Sequence, residues 1–65
     1  MEITRQGEGF QITLSQDELG TLGNCLNEAL EIIHPSEFQM RVGAERSEVL
    51  DMLRTITNAY DRRPT

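Results

Sequence analysis

Nucleophilic chemistry would need the single cysteine, Cys25, or a serine beside a base, and the single histidine is His34. A cysteine nucleophile needs a base within hydrogen-bond reach. Both residues fall in one predicted helix, nine positions apart, and the helical rise separates them by about 13 Å. We therefore expect Cys25 to be a small buried residue at the edge of an apolar stripe. His34 is expected to end the helix, where it interacts with the helix dipole.

Paired carboxylates also occur, at three-residue spacing in two predicted helices: Glu28 with Glu31, and Glu48 with Asp51. Both pairs fall on predicted solvent-facing sides, where surface charge is the simpler interpretation. The segment Gly7-Glu8-Gly9 lacks the glycines and following helix of a phosphate-binding loop. No cluster of cysteine and histidine suggests a metal site. The sequence predicts no enzyme, no cofactor and no metal.

Small and amide residues form an unusual stripe in the first predicted helix. Gly20, Gly23 and Asn27 recur at helical spacing, with Asn24 beside them. Each helical glycine costs about 1 kcal/mol relative to alanine, so close approach by another backbone or by a ligand would offset the cost. The alternatives are that the helix tolerates these residues, or that they pack against the protein's own sheet. We treat the stripe as a candidate binding surface.

A second candidate surface centres on Arg41, on the polar side of a predicted third strand that leads into the second predicted helix. An arginine beside a helix N-terminus can bind an anion or a carboxylate. The alternative is that Arg41 pairs with a surface acid such as Glu2 or Glu37.

The charge of the chain narrows the class of partner. Eleven acids oppose six bases, which are all arginine, for a net charge of −5 over 65 residues. This balance argues against nucleic acid and anionic membrane surfaces and is compatible with a basic protein partner, or with solubility alone. No apolar run could span a bilayer, and the N-terminal residues do not resemble a signal peptide. We expect a cytoplasmic protein.

Alternation and helical periodicity predict an α+β fold in the order ββαβα. A hairpin over 2–14 turns at Gly7-Glu8-Gly9, with Ile3, Phe10, Ile12 and Leu14 on one face. Ser15 and Glu18 form a capping box that starts the first helix, which ends before His34-Pro35. Alternating residues predict a third strand, and a second helix follows. The remaining predicted ranges are 37–42 for this strand, 45–60 for the second helix, 1–61 for a single domain and 62–65 for a polar tail. The expected mixed antiparallel and parallel sheet has three strands in the order 2-1-3, with two helices packed on one face.

Three segments resemble small uncharacterised bacterial α+β proteins, some of which are described as immunity-like. They are Leu14-Ser15-Gln16-Asp17-Glu18-Leu19, Leu26-Asn27-Glu28-Ala29-Leu30 and Phe38-Gln39-Met40-Arg41-Val42-Gly43. In that pattern a serine caps the second helix two residues after the glycine, whereas this chain has Glu45. The resemblance implies a stoichiometric binding protein and points to Asn27, Glu28, Phe38 and Arg41.

Together these patterns predict a protein-interaction module that inhibits or regulates a partner protein. We also expect it to form a homo-oligomer, most simply a dimer, because a short chain has a thin core and a three-stranded sheet has two open edges. The alternative function is a protein that binds or sequesters a small anionic, nucleotide-type ligand between subunits. Arg41, Asn24 and Asn27 would then supply the polar contacts.

Overall fold

The computed structural model describes residues 1–62 as a β-hairpin followed by helices. Strands β1 and β2 pair antiparallel, and a short 3₁₀ turn separates the long first helix from a short second one. The elements are β1 Glu2–Gln6, β2 Gly9–Thr13, α1 Gln16–Ile32, the 3₁₀ turn Pro35–Glu37, α2 Phe38–Val42 and α3 Arg46–Asp61. Residues 63–65 of the predicted tail lie outside the described residues.

The hairpin confirms the prediction for residues 2–14. Ile3 pairs with Ile12, and Arg5 pairs with Phe10, so these four side chains share one face. The other face carries the polar residues. Gly7 has a φ of +62° at the first turn position, which glycine adopts without the steric cost of a Cβ atom.

The predicted capping box at the start of α1 is confirmed. The Ser15 Oγ accepts from the Glu18 N–H at 3.1 Å, and the Ser15 N–H donates to the Glu18 Oε1 at 2.9 Å. The other Glu18 oxygen lies 3.0 Å from the ammonium of Met1. One carboxylate thus fixes the start of α1 and holds the beginning of β1 beside it.

The predicted third strand over 37–42 is wrong, because Glu37 ends the 3₁₀ turn and the residues after it form the helix α2. Six residues are too few to separate a period of two from a period of 3.6. Pro35 begins the 3₁₀ turn, as proline favours the first helical position. Gly43 ends α2 with a φ of +89°, the left-handed helix cap. Glu37 and Arg41 pair at 3.3 Å across one helical turn.

This correction changes the architecture while leaving it α+β. The sheet has two strands, and residues 1–62 contain no third strand to complete the predicted order 2-1-3. The predicted packing of two helices on one face of a three-stranded sheet is therefore wrong as well. Helix α3 begins with Glu45 as its N-cap, whose N–H donates to the Glu48 carboxylate at 3.4 Å. Its observed range is within one residue of the prediction at either end.

A small core forms where α1 ends, α2 packs and α3 begins. Only three side chains of residues 1–62 are buried, namely Leu30, Phe38 and Val49. Partly buried apolar residues surround them, including Leu26 and Ile33 of α1. The hairpin lies outside this core, and its strands contact each other far more than they contact the helices.

The molecule is thin and extended for its length. Its extents are 40 × 30 × 16 Å, and the smallest is little more than the roughly 10–12 Å diameter of one helix. The radius of gyration is 13.3 Å, against about 11 Å for a compact chain of this length. Most domains enclose a core between two layers of secondary structure. Here α1 and α3 pack along each other, and the hairpin strands mainly contact each other.

Candidate interaction surfaces

The glycine stripe of α1 is explained by its neighbours on α3. A Cβ atom on Gly20 would lie 3.0 Å from the Tyr60 Cε2, and one on Gly23 would lie 3.4 Å from the Ile56 Cγ2. The sequence predicted approach by another backbone or by a ligand, with packing against the protein's own sheet as an alternative. The structure instead places side chains from α3 of the same chain against these glycines.

The same stripe borders a groove between α1 and α3 with a volume of about 320 Å³. Both glycines and both asparagines of the stripe line it, so the structure brings together the four residues singled out in the sequence. Within residues 1–62, none of the groove-lining side chains is charged. The lining residues are Leu19, Gly20, Gly23, Asn24, Asn27, Leu53, Ile56, Thr57 and Tyr60. The groove has an apolar floor with amide and hydroxyl groups at its rim.

Negative charge lies along α1 beside this groove. The helix contains four acids and no base. Of these, Glu18 pairs with the Met1 ammonium, while Glu31 accepts a hydrogen bond from the Asn27 amide at 3.4 Å. Glu28 is exposed and lies one turn after Asn24 on the same side of the helix. A molecule that enters the groove from this side meets carboxylates first.

Arg41 and Phe38 lie away from the groove, on α2. Arg41 pairs with Glu37 at 3.3 Å, and both side chains are largely exposed. Pairing with a surface acid was the alternative to an anion-binding role for this arginine. Phe38 is 1% exposed and is the most buried side chain of the described chain. It serves the core, and a partner would reach it only if α2 moved away. Among residues 1–62, no cationic side chain lines the groove, so these residues offer the anionic-ligand hypothesis no positive charge there.

Cys25 and His34 do not line the groove between α1 and α3. Cys25 is exposed, so the prediction that it is a buried small residue is wrong. The His34 Nδ1 accepts from the Ser36 N–H at 3.2 Å and lies 2.8 Å from the Ser36 hydroxyl. His34 thus caps the 3₁₀ turn that follows α1. Residues 1–62 hold no group of three metal-binding side chains.

The surface that sequence reasoning missed is the apolar face of the hairpin. Ile3, Phe10 and Ile12 are 60%, 62% and 54% exposed. The Arg5 guanidinium lies 4.8 Å from the centre of the Phe10 ring, on the same face. The alternation predicted this face correctly but assigned it to a helix-covered sheet. The structure has no third strand within residues 1–62, and no helix of those residues covers this face of the hairpin.

No helix within residues 1–62 combines the length and apolar character needed to cross a membrane. Comparison of the chain with protein-family models, curated proteins and solved structures found no match.

Proposed function

We propose that this chain is a non-enzymatic protein-interaction module, which associates with itself and binds and regulates a basic partner protein. The observation that carries the proposal is the open face of the hairpin, where three large apolar side chains remain more than half exposed. Exposed apolar surface of this kind marks protein contacts in stable, soluble domains. A two-stranded hairpin is also marginal by itself in water.

The small core supports the same proposal. Three buried side chains contribute little apolar burial for a chain of 65 residues, since a fully buried Leu, Val or Phe contributes only about 1.5–3 kcal/mol. Domains of this size need additional contacts, and the single cysteine supplies no internal disulfide. Contact with another protein supplies the missing burial.

The groove between α1 and α3 is the surface we assign to the regulated partner. Its apolar floor suits an aliphatic or aromatic side chain, and Asn24 and Asn27 offer hydrogen bonds at the rim. The acids of α1 attract lysine or arginine on the approaching segment. Complementary charge speeds association and makes it salt-dependent. The proposed occupant is therefore a basic segment of another protein, and the proposed compartment is the cytoplasm.

Capture from a native lysate, followed by binding measurements with the purified captured protein, tests this assignment. Thr57→Arg places a bulky cation at the groove. Thr55→Arg makes the same change two residues earlier, about 160° away around α3. We expect Thr57→Arg to weaken binding at least tenfold and Thr55→Arg to leave it within twofold.

Binding of the captured protein should also weaken as salt rises. If the only stoichiometric partner is a second copy of the chain, or if both arginine variants bind equally well, the assignment of the groove is wrong. Self-association would be unaffected by that outcome.

A further inference from the structure

The open edge of β2 is formed by the backbone groups of Phe10 and Ile12. Gln6 and Gly9 flank the two-residue turn, so the pair closing the turn is hydrogen-bonded. Bonded and non-bonded pairs then alternate along an antiparallel ladder. Thr4 and Gln11 form the next bonded pair, which directs the N–H and C=O of Phe10 and Ile12 away from β1.

The two outer edges of the hairpin differ in charge. Strand β1 carries Glu2 and Arg5, and charged side chains discourage pairing of an edge with another chain. Strand β2 has the sequence Gly-Phe-Gln-Ile-Thr, with no charged residue and no proline. The edge of β2 is therefore the unprotected one, and pairing it brings no like charges opposite each other.

We propose that β2 pairs antiparallel with β2 of a second copy, about a two-fold axis through Gln11. This inference rests on the self-association in the proposed function and specifies its geometry. Phe10 of each copy then exchanges backbone hydrogen bonds with Ile12 of the other. The product is a four-stranded sheet in the order β1-β2-β2-β1, with the charged β1 strands at its outer edges. A two-fold contact closes after two copies and does not continue into a fibre.

Side-chain pairing supports this register. Phe10 and Ile12 lie on the same face of β2, so the proposed axis places an aromatic ring beside a β-branched side chain twice. Such cross-strand pairs each contribute about 0.2–1 kcal/mol. The two apolar faces become continuous, while the Gln11 side chains meet on the polar face, where their amides can bond to each other.

The accessible surface of the chain is larger than that of a compact monomer of the same mass. The accessible surface is 5475 Å², whereas a compact monomer of 7.4 kDa exposes about 4,200 Å². The excess, about 1,300 Å², exceeds the roughly 800 Å² that each partner buries in a standard interface. The chain therefore exposes more surface than a compact domain of its mass, which leaves surface available for contact with a second copy.

A matched pair of proline variants tests the proposal. Ile12→Pro removes an outward N–H from the edge of β2 and leaves the ladder to β1 intact, because proline is tolerated where the N–H faces outward. Ile3→Pro makes the same chemical change at the facing position on the edge of β1. Sedimentation equilibrium should show a dimer for the wild-type chain and for Ile3→Pro, with dissociation constants within a few-fold. Ile12→Pro should dissociate at least tenfold more readily.

Amide hydrogen exchange of the wild-type chain gives a second readout that does not depend on a variant folding. Exchange at Phe10 and Ile12 should slow as the protein concentration rises through the dissociation constant. Exchange at Ile3 and Arg5, on the other edge, should not change with concentration.

Each contrary result overturns the pairing of β2. The pairing is wrong if both proline variants weaken the dimer equally, or if Ile3→Pro weakens it more. It is also wrong if amide exchange at Ile3 and Arg5 slows with concentration. Self-association would stand in each of these cases. A wild-type chain that is monomeric would remove both the pairing and the self-association. Capture of a partner at the groove could still succeed in that case.

Discussion

The ring of Tyr60 lies against α1 at the position where Gly20 has no side chain, and a Cβ atom there would be 3.0 Å from the Tyr60 Cε2. The Gln16 side-chain amide also reaches the Tyr60 carbonyl, at 3.4 Å. The last turn of α3 is therefore held against the first turns of α1. This contact sets one end of the groove and explains why the helix contains a glycine there.

Alanine substitutions at the two helical glycines should have different effects. Alanine gains about 1 kcal/mol over glycine in a helix interior. At Gly23 the neighbouring Ile56 methyl is 3.4 Å from the new Cβ atom and needs to yield little, so Gly23→Ala should stabilise. At Gly20 the Tyr60 ring has to move, which offsets the gain. We expect Gly20→Ala to unfold at least about 1 kcal/mol more easily than Gly23→Ala in urea titrations. Equal effects would mean that Tyr60 does not pack at Gly20.

Substitutions in α2 should separate the helix from the strand that alternation predicted. Phe38 is 1% exposed and Met40 is 80% exposed, although a strand would place both on one face. Phe38→Ala should cost about 3–5 kcal/mol, while Met40→Ala should change the free energy of unfolding by less than about 0.5 kcal/mol. Thermal and urea unfolding measure both. Similar large losses from the two variants would favour the strand.

The glycine that ends α2 should resist substitution. Gly43 has a φ of +89°, and a side chain in the left-handed region costs about 1–2 kcal/mol. Gly43→Ala should therefore destabilise the chain by roughly that amount in urea unfolding. Gly9→Ala is the control, because the φ of Gly9 is not positive and its nearest neighbour would be 3.9 Å from the new Cβ atom. Full stability of Gly43→Ala would contradict the helix end described here.

Local patterns predicted the hairpin and the two long helices because each signal acts within a few residues. Ser15 and Glu18 meet across one turn, and Gly7 meets the requirement of a two-residue turn. The apolar residues of 37–42 fit both the strand period of two and the helix period of 3.6. The residues that distinguish the two are Pro35 before the segment and Gly43 after it. Taken as helix boundaries, they predict a helix in place of the strand.

The candidate site was predicted in part. The stripe of Gly20, Gly23, Asn24 and Asn27 was recognised from the energetic cost of helical glycine, and all four residues line the groove. Their neighbours on α3 could not be identified, because helix pairing depends on contacts far apart in the sequence. The open face of the hairpin was missed for the same reason, since exposure depends on what the rest of the chain leaves uncovered.

The capping box should make stability depend on pH. The Ser15 backbone N–H, and after it the N-terminal ammonium, lower the pKa of Glu18 below its ordinary value. A carboxyl whose pKa is lower in the folded state stabilises the fold above its unfolded pKa of about 4.3. That contribution is lost as the pH falls through the folded value. Between pH 6 and pH 3, the free energy of unfolding in urea should fall less for Glu18→Gln than for the wild-type chain, because glutamine keeps a capping side chain but does not titrate. An equal fall in both proteins would exclude a role for Glu18 in the pH dependence.

The central claim is that this chain works by associating with other protein chains, beginning with a second copy of itself. Sedimentation equilibrium of the full chain at tens of micromolar tests it most directly. The account predicts a mass twice that of the 7.4 kDa chain, with concentration-dependent dissociation. A single-chain mass throughout that concentration range would contradict it.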